Sequence, residues 1–590
     1  MKCLNRPASK LFSCAVALGL GLLGASVYAQ SSKNLEDREP EAATGVQQKA
    51  FDSTNNYMVV AANPYAAWAG KQIIEQGGSA IDAAVAIQAM LTLVEPQSSG
   101  IGGGAFIMYW DNTKQKLHTF DGRETAPKAS NPYIFLENGE PMAWRDAVVG
   151  GKSVGVPGVL RALDMAHKKF GNLAWKDLFT DTIKQSREGF VVSERLAKLI
   201  ALDYHPGLNK FTSASNYFKP NGVGLKAGTL QKNPLLATTL QKIALGGADA
   251  FYTGSIPENI AKTVRTASVN PGLLSADDFA NYRAIERRPM CNPYRAYKIC
   301  GMAPPSSGGV SVYKILKSLE RFELSKYTHN SVEFAHLFTQ SSALAFADRA
   351  HYIADLDYLD MSVVPLVNPG YIRRRAADIS LAVPFEKASA GKPYASMQFG
   401  KDNAYERMST SHISIVDKQG NAVSMTSSIE FMFGSGLMVE GFLLNNQLTD
   451  FSLNPMRDNT PVLNRVQPDK RPRSAMSPTM VFDDSGKLHL VVGSPGGSRI
   501  INYVAQTIFN VLDFGLDIQT AISAPRISNR NGATTLEANT SITRLKSELE
   551  NKGHEINVRN LNSGLHGIQI IDGVLHGGAD PRREGVAVGQ

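Results

Sequence analysis

The 590 residues are 43% hydrophobic and 19% charged, with 51 Gly, 29 Pro and 4 Cys. That composition excludes a wholly disordered, collagen-like or coiled-coil chain, and four cysteines are too few for a small disulfide scaffold. The net charge of +8 is spread without a basic tract, so no nucleic-acid partner is expected.

In chain order, residues 1–29 read as an export signal. Lys2, Arg6 and Lys10 precede an apolar stretch at 11–27, and Val27-Tyr28-Ala29 is a small-residue site before Gln30. An uncleaved anchor is the alternative, because an apolar stretch of 17 residues sits at the lower limit for spanning. Removal leaves 58 basic against 53 acidic residues and, of the cysteines, only Cys291 and Cys300. No later apolar run is long enough to span a bilayer, so the remainder is expected to be periplasmic or secreted and free of the membrane. In an oxidising compartment Cys291 and Cys300 are candidates for a local disulfide, with Pro293-Tyr294-Arg295 able to turn between them; two buried thiols are the alternative. No Cys/His spacing suggests zinc, and neither a metal nor a cofactor is implied.

Residues 30–55 are polar and expected to be loose. The pattern predicts a strand at 58–62, a helix at 64–76 stopped by Gly77-Gly78, and a helix at 80–94 capped by Ser79. A Gly-rich loop at 98–104 precedes strands at 105–110 and 117–121. Its G-x-G-x-x-A match at Gly100–Ala105 is not read as a dinucleotide site, because a strand follows where a helix N-terminus is needed. Gly151-Lys152-Ser153 resembles the end of a P-loop but has Asp146 where the first Gly belongs. The middle, 155–360, is mainly helical in pattern, with 160–170 and 331–350 the clearest helices. Residues 387–409 read as an exposed mobile loop. Strands at 411–417 and 422–429 then form a hairpin about 418–421, followed by strands at 479–482 and 488–492 and a helix at 501–512. This mixed order favours α+β layers over a parallel sheet.

Ser409-Thr410-Ser411-His412 is the informative junction. A hydroxyl is a poor nucleophile without a base in reach, but a cut before Thr410 would free an α-amino group with an ordinary pKa of about 7.7–8 to serve as one. If position 417 pairs with 422, Thr410 lies opposite 428–429, beside the Ser428 hydroxyl. The run from Thr410 to Ser424 resembles the start of the small subunit of the γ-glutamyltransferases (γ-glutamyltranspeptidases). Other blocks recur in the same order: Gly102-Gly-Gly104, Arg123-Glu-Thr-Ala-Pro127, Gly155-Val-Pro-Gly158, Pro304-Pro-Ser-Ser-Gly-Gly309, Leu444-Asn-Asn-Gln447, Asp450-Phe-Ser452, Gly493-Ser-Pro-Gly-Gly-Ser-Arg499 and Ala579-Asp-Pro-Arg582.

The resemblance implies an N-terminal-nucleophile hydrolase with a four-layer α-β-β-α sandwich. It implies self-cleavage at Ser409–Thr410 into a large chain, 30–409, and a small chain, 410–590, which form one heterodimeric catalytic unit. Thr410 then attacks γ-glutamyl amides such as glutathione and passes the acyl group to water or to an amino acid or peptide. By motif position Gly496 and Gly497 donate N–H groups to the oxyanion, and Ser428 stands where the family has an assisting threonine. Arg123 matches the carboxylate fork; Asp450 and Gln447 match the ammonium side.

Two positions depart from the family. Ser474-Ala475 replaces two adjacent serines, removing one hydroxyl, and Glu430 replaces an asparagine that contacts the ammonium. An inward Glu430 is expected to retain amine recognition against the alternative of a glutaryl or cephalosporin acylase; a non-catalytic periplasmic binding protein is the third reading. The segment 453–470, where many bacterial members carry a lid, is short, which predicts an open site.

Overall fold

Alternation in the strands sets the architecture. Successive strand residues face opposite ways, so a strand apolar at every position must be covered on both faces. Met58–Ala61 (MVVA) is such a strand and is wholly buried. Val59 and Ala61 pack with Ile413, Ile415, Val423 and Met425 against helices, whereas Met58 and Val60 pack with Val481, Leu490 and Val492 of a second sheet.

The computed structural model describes residues 47–49, 52–359, 361–394, 399–404, 406 and 409–590. The stretch 1–29 read as an export signal, with Cys3 and Cys14, lies outside these residues. Two seven-stranded antiparallel sheets form the centre. In strand order the first runs Val586–Gly589, Met58–Ala61, Ser411–Val416, Ala422–Ser428, Gly104–Asp111, Lys116–Gly122 and Ile285–Arg287. The second runs Asp52–Thr54, Val574–Ala579, His566–Ile571, Leu488–Gly493, Thr479–Phe482, Tyr297–Gly301 and Met290–Tyr294. The sheets contact one another through Ser411–Val416 on His566–Ile571 and Ala422–Ser428 on Leu488–Gly493. Helices Pro64–Glu75, Ala80–Val94 and Val159–Phe170 pack on the first sheet. Gly308–Leu319, Ile500–Leu512 and Ile518–Ser523 pack on the second. The fold is mixed α+β, and no described helix is long and apolar enough to cross a membrane.

Ser79 caps Ala80–Val94 and Asp82 answers it in a capping box, so the helix begins where its first orphan N–H groups find acceptors. Four expectations need correction. Asp52–Thr54, inside the stretch read as loose, adds an edge strand to Val574–Ala579. Ile285–Arg287, Met290–Tyr294 and Tyr297–Gly301 interrupt the helical middle, because their short mixed patterns are completed only by the sheets they join. Cys291 and Cys300 face each other across the last pair and are joined by a disulfide. The turn of the nucleophile hairpin is one residue longer than expected: Val416 pairs with Ala422, because Asp417 leaves the ladder and accepts N–H bonds from Gln419 (3.0 Å) and Asn421 (2.9 Å). The fourth concerns the segment read as an exposed loop. Asp402, Glu406 and Ser409 are buried, and ion pairs hold the first two.

Candidate active site

The shifted register puts Ser411 opposite Ser427, so Thr410 enters the sheet beside Ser428. Thr410 Oγ1 lies 3.2 Å from Ser428 Oγ and rests against the carbonyl oxygen of Ser409. Ser428 Oγ donates to that same carbonyl (3.0 Å) and accepts the Glu430 N–H (2.9 Å). Arg583 Nη1 donates to the Thr410 carbonyl (3.2 Å), and Ser409 Oγ donates to Gln97 O (2.6 Å). The peptide between 409 and 410 is thus clamped on both sides with a hydroxyl at its carbonyl.

The next residue anchors the strand. Ser411 Oγ donates to Glu95 (2.8 Å), which also accepts from Arg195 Nη1 (2.9 Å). Burial pushes the Glu95 carboxyl up to about 7 even against the pull of Arg195 and Arg583. His412 is fully buried between Thr426 Oγ1 (2.8 Å) and Ser414 Oγ (3.1 Å), and burial holds its imidazole well below the ordinary range. It is a neutral packing residue against Gly493, not a base.

The Gly-rich loop has a steric purpose. A Cβ on Gly103 would stand 2.1 Å from the Ser428 carbonyl oxygen, and one on Gly102 would stand 2.1 Å from that of Leu443. Gly103→Ala should therefore cost about 1–3 kcal/mol of stability through overpacking. It should also slow any event that depends on Ser428; an unchanged melting temperature and fragment pattern would refute this.

One small pocket gathers Arg123, Ser409, Thr410, Ser428, Glu430, Gln447, Asp450, Ser474, Ala475 and Gly497. Glu406, Met476 and Ile500 complete its wall. Of the expected site residues only Gly496 stands back from it, with φ 132° and its Cα side against Tyr503. Gly497, at φ 57°, opens the short turn Gly497–Arg499 that leads into Ile500–Leu512. Such left-handed backbone favours glycine.

The recognition groups are in contact, not held an amino acid's width apart. Arg123 Nη2 donates to Asp450 Oδ2 (2.5 Å) and Arg473 O (2.9 Å), and Nε donates to Pro472 O (3.2 Å). Gln447 Nε2 donates to Asp450 Oδ2 (2.9 Å). Three atoms among these groups have no hydrogen-bond partner: Arg123 Nη1, Asp450 Oδ1 and Gln447 Oε1. A buried donor and two buried acceptors left open are costly unless something polar fills the space. Burial pushes the Asp450 carboxyl up to about 6; Arg123 opposes this and Glu406 adds to it. Glu430, at φ 74°, turns inward and accepts from Asn446 Nδ2.

Glu406 was not anticipated. Burial pushes its carboxyl up, but Arg349 and Arg473 prevail and hold it below the usual range. Asp402 pairs with Arg473 (2.9 Å) and accepts from Asn464 Nδ2 (2.8 Å), which also donates to Asp450 O (2.7 Å). Hence the short 453–470 segment braces the pocket from behind. Arg583 was missed as well, although its neighbour Arg582 ends a quoted motif. Among the described residues no His/Cys/Asp/Glu group could hold a metal ion.

The family described as Gamma-glutamyltranspeptidase matches residues 66–590. A glutathione hydrolase proenzyme of Bacillus subtilis (strain 168) is 37% identical over 558 residues, spanning 92% of this chain and 93% of the relative. Its counterpart in Escherichia coli (strain K12) is 34% identical over 556 residues, with 92% and 93% covered. A solved cephalosporin acylase from Bacillus halodurans aligns with a TM-score of 0.81 at 27% identity, over 93% of this chain and 98% of that one.

Proposed function

The chain belongs to the γ-glutamyltranspeptidase family, and from that premise we propose a self-processing γ-glutamyltransferase and glutathione hydrolase. The observation that carries the proposal is Thr410, whose hydroxyl lies at the Ser409 carbonyl inside the pocket that holds Arg123, Asp450 and Gln447. In processing, Thr410 Oγ bonds to the Ser409 carbonyl carbon, the 409–410 C–N bond breaks with the hydroxyl proton passing to the departing nitrogen as the Thr410 α-amine, and water hydrolyses the resulting ester to the Ser409 carboxylate and the free hydroxyl. Ser428 serves as the hydroxyl bridge: it is within reach of Thr410 Oγ and donates to the oxygen on which negative charge develops. The products are a large chain ending at Ser409 and a small chain beginning at Thr410, and the export signal is removed before Gln30. The layers are read as an α-β-β-α sandwich, on the packing of helices outside the two sheets.

In turnover, the freed α-amino group takes the proton from Thr410 Oγ as the oxygen bonds to the γ-carbonyl carbon of the donor. The amide C–N bond breaks and the leaving amine carries that proton away. Water or an amino acid or peptide acceptor then releases the γ-glutamyl group from the threonine. The Gly497 N–H, with that of Gly496, is the candidate oxyanion donor, and such a donor contributes about 3–4 kcal/mol. Arg123 Nη1 faces the α-carboxylate, and Asp450 Oδ1, Gln447 Oε1 and Glu430 face the α-ammonium. An acylase for glutaryl groups fits this wall poorly, since a glutaryl group brings no cation to its carboxylates.

N-terminal sequencing of the purified protein tests the processing: starts at Gln30 and Thr410 are expected, together with release of glutamate from glutathione. Ser428→Ala should slow the appearance of the two chains about 10–100-fold, the loss of one hydrogen bond to a charged oxygen. Electrophoresis over a time course reads it, and an unaltered rate would remove Ser428 from the processing step.

A further inference from the structure

The pocket holds the two ends of an amino acid unequally. On the amine side Asp450 Oδ1 and Gln447 Oε1 are buried acceptors with no donor. The Glu430 carboxylate lines the same cavity and accepts from Asn446. On the carboxylate side Arg123 is largely engaged. Nη2 and Nε are taken by Asp450 Oδ2 and two backbone carbonyls, which leaves Nη1, and the buried Glu124 Oε2 stands 3.6 Å from that nitrogen. Ser474 Oγ accepts the Met476 N–H and has one proton to donate; Ala475 has none. An α-carboxylate therefore meets a single guanidinium nitrogen and one hydroxyl, beside the acidic side chains of Glu124 and Asp450 that Arg123 already faces. Removing it strands no charge, because Arg123 remains paired with Asp450 at 2.5 Å.

Building on the γ-glutamyl reading, we propose that donor recognition rests on the ammonium group and that the enzyme also hydrolyses 4-aminobutanoyl amides, which carry the amine but no α-carboxylate. The chemistry is that of the γ-glutamyl donor. Thr410 Oγ bonds to the acyl carbon, the amide C–N bond breaks and the amine leaves with the proton held by the threonine α-amino group. Water then cleaves the ester to 4-aminobutanoate and restores the hydroxyl. A glutaryl amide is the opposite case: it offers the weakly held end and leaves the amine side facing a methylene.

The test measures kcat/KM of the processed protein on the γ-glutamyl, 4-aminobutanoyl and glutaryl p-nitroanilides. With the bonds from Arg123 Nη1 and Ser474 at stake, each contributing about 10-fold at the low end, the 4-aminobutanoyl donor should stay within about 100-fold of γ-glutamyl. The glutaryl donor should fall at least about 1000-fold below γ-glutamyl, since it forfeits several such bonds. Ala475→Ser restores a hydroxyl to the carboxylate side and should widen the γ-glutamyl to 4-aminobutanoyl ratio about 10-fold. That ratio is internal to each protein, so incomplete folding or processing cancels. A 4-aminobutanoyl rate as low as the glutaryl rate, or a ratio untouched by Ala475→Ser, overturns the proposal. A fully processed protein inactive on the γ-glutamyl anilide would overturn the underlying reading, and this inference with it.

Discussion

Thr410→Ala is expected to yield one uncut chain with hydrolysis of γ-glutamyl anilide lowered by about 10⁴–10⁶-fold, the scale of losing a nucleophile. The effect is large because one residue supplies both the attacking oxygen and, once cut, the amine that acts as base. Alanine removes the oxygen, and without the oxygen the amine is never freed. His412 cannot take over as the base: it is buried, held by Thr426 and Ser414, and its imidazole is kept well below the ordinary range. Intact-mass measurement reads the cut and an anilide assay reads the turnover. Thr410→Ser keeps the hydroxyl and should still split, which separates loss of chemistry from loss of fold. If Thr410→Ala still divides at 409/410, another protease makes the cut and the self-processing account fails.

Asp450→Asn should lower kcat/KM for γ-glutamyl donors by about 10²–10³-fold. The carboxylate neutralises Arg123 in a buried wall and, on the proposed reading, faces the donor ammonium, so its loss should leave one cation unmatched and admit another poorly. The pH profile gives the sharper test. Burial pushes Asp450 up to about 6, and only its ionised form attracts an ammonium. Activity should therefore fall as pH drops through about 6, in addition to the limb set by the threonine amine at about 7.7–8. In Asp450→Asn the lower limb should vanish and the upper one remain. A variant that keeps both limbs would show that Asp450 does not titrate in the binding step.

Much of the site was legible before any coordinates. Thr410, Arg123, Gln447, Asp450 and Gly497 stand in ordered blocks, Ser428 follows from the hairpin register, and the structure brings all six to one pocket. The hairpin was legible to within one residue, because alternation and a Gly-containing turn are local signals. The single-residue slip came from Asp417, whose side chain competes with the ladder for backbone N–H groups, a choice composition does not reveal. Glu406 was unreadable for a different reason. Polar, aperiodic surroundings resemble a solvated loop, and only Arg349 and Arg473, 57 and 67 residues away, make its burial tolerable.

By itself the sequence determined the strand and helix patterns, the hydroxyl at the junction and the chemical types lining the pocket, since each is written in neighbouring residues or in short blocks. Tertiary structure alone decided which of those groups touch. Arg123 meets Asp450 across 327 positions, Arg583 reaches the Thr410 carbonyl across 173, and Glu406 turns from loop residue into pocket wall. Contacts of that kind depend on how two sheets stack, and stacking is fixed by burying both faces of every central strand at once. The pairing of Arg123 with Asp450 follows from that packing.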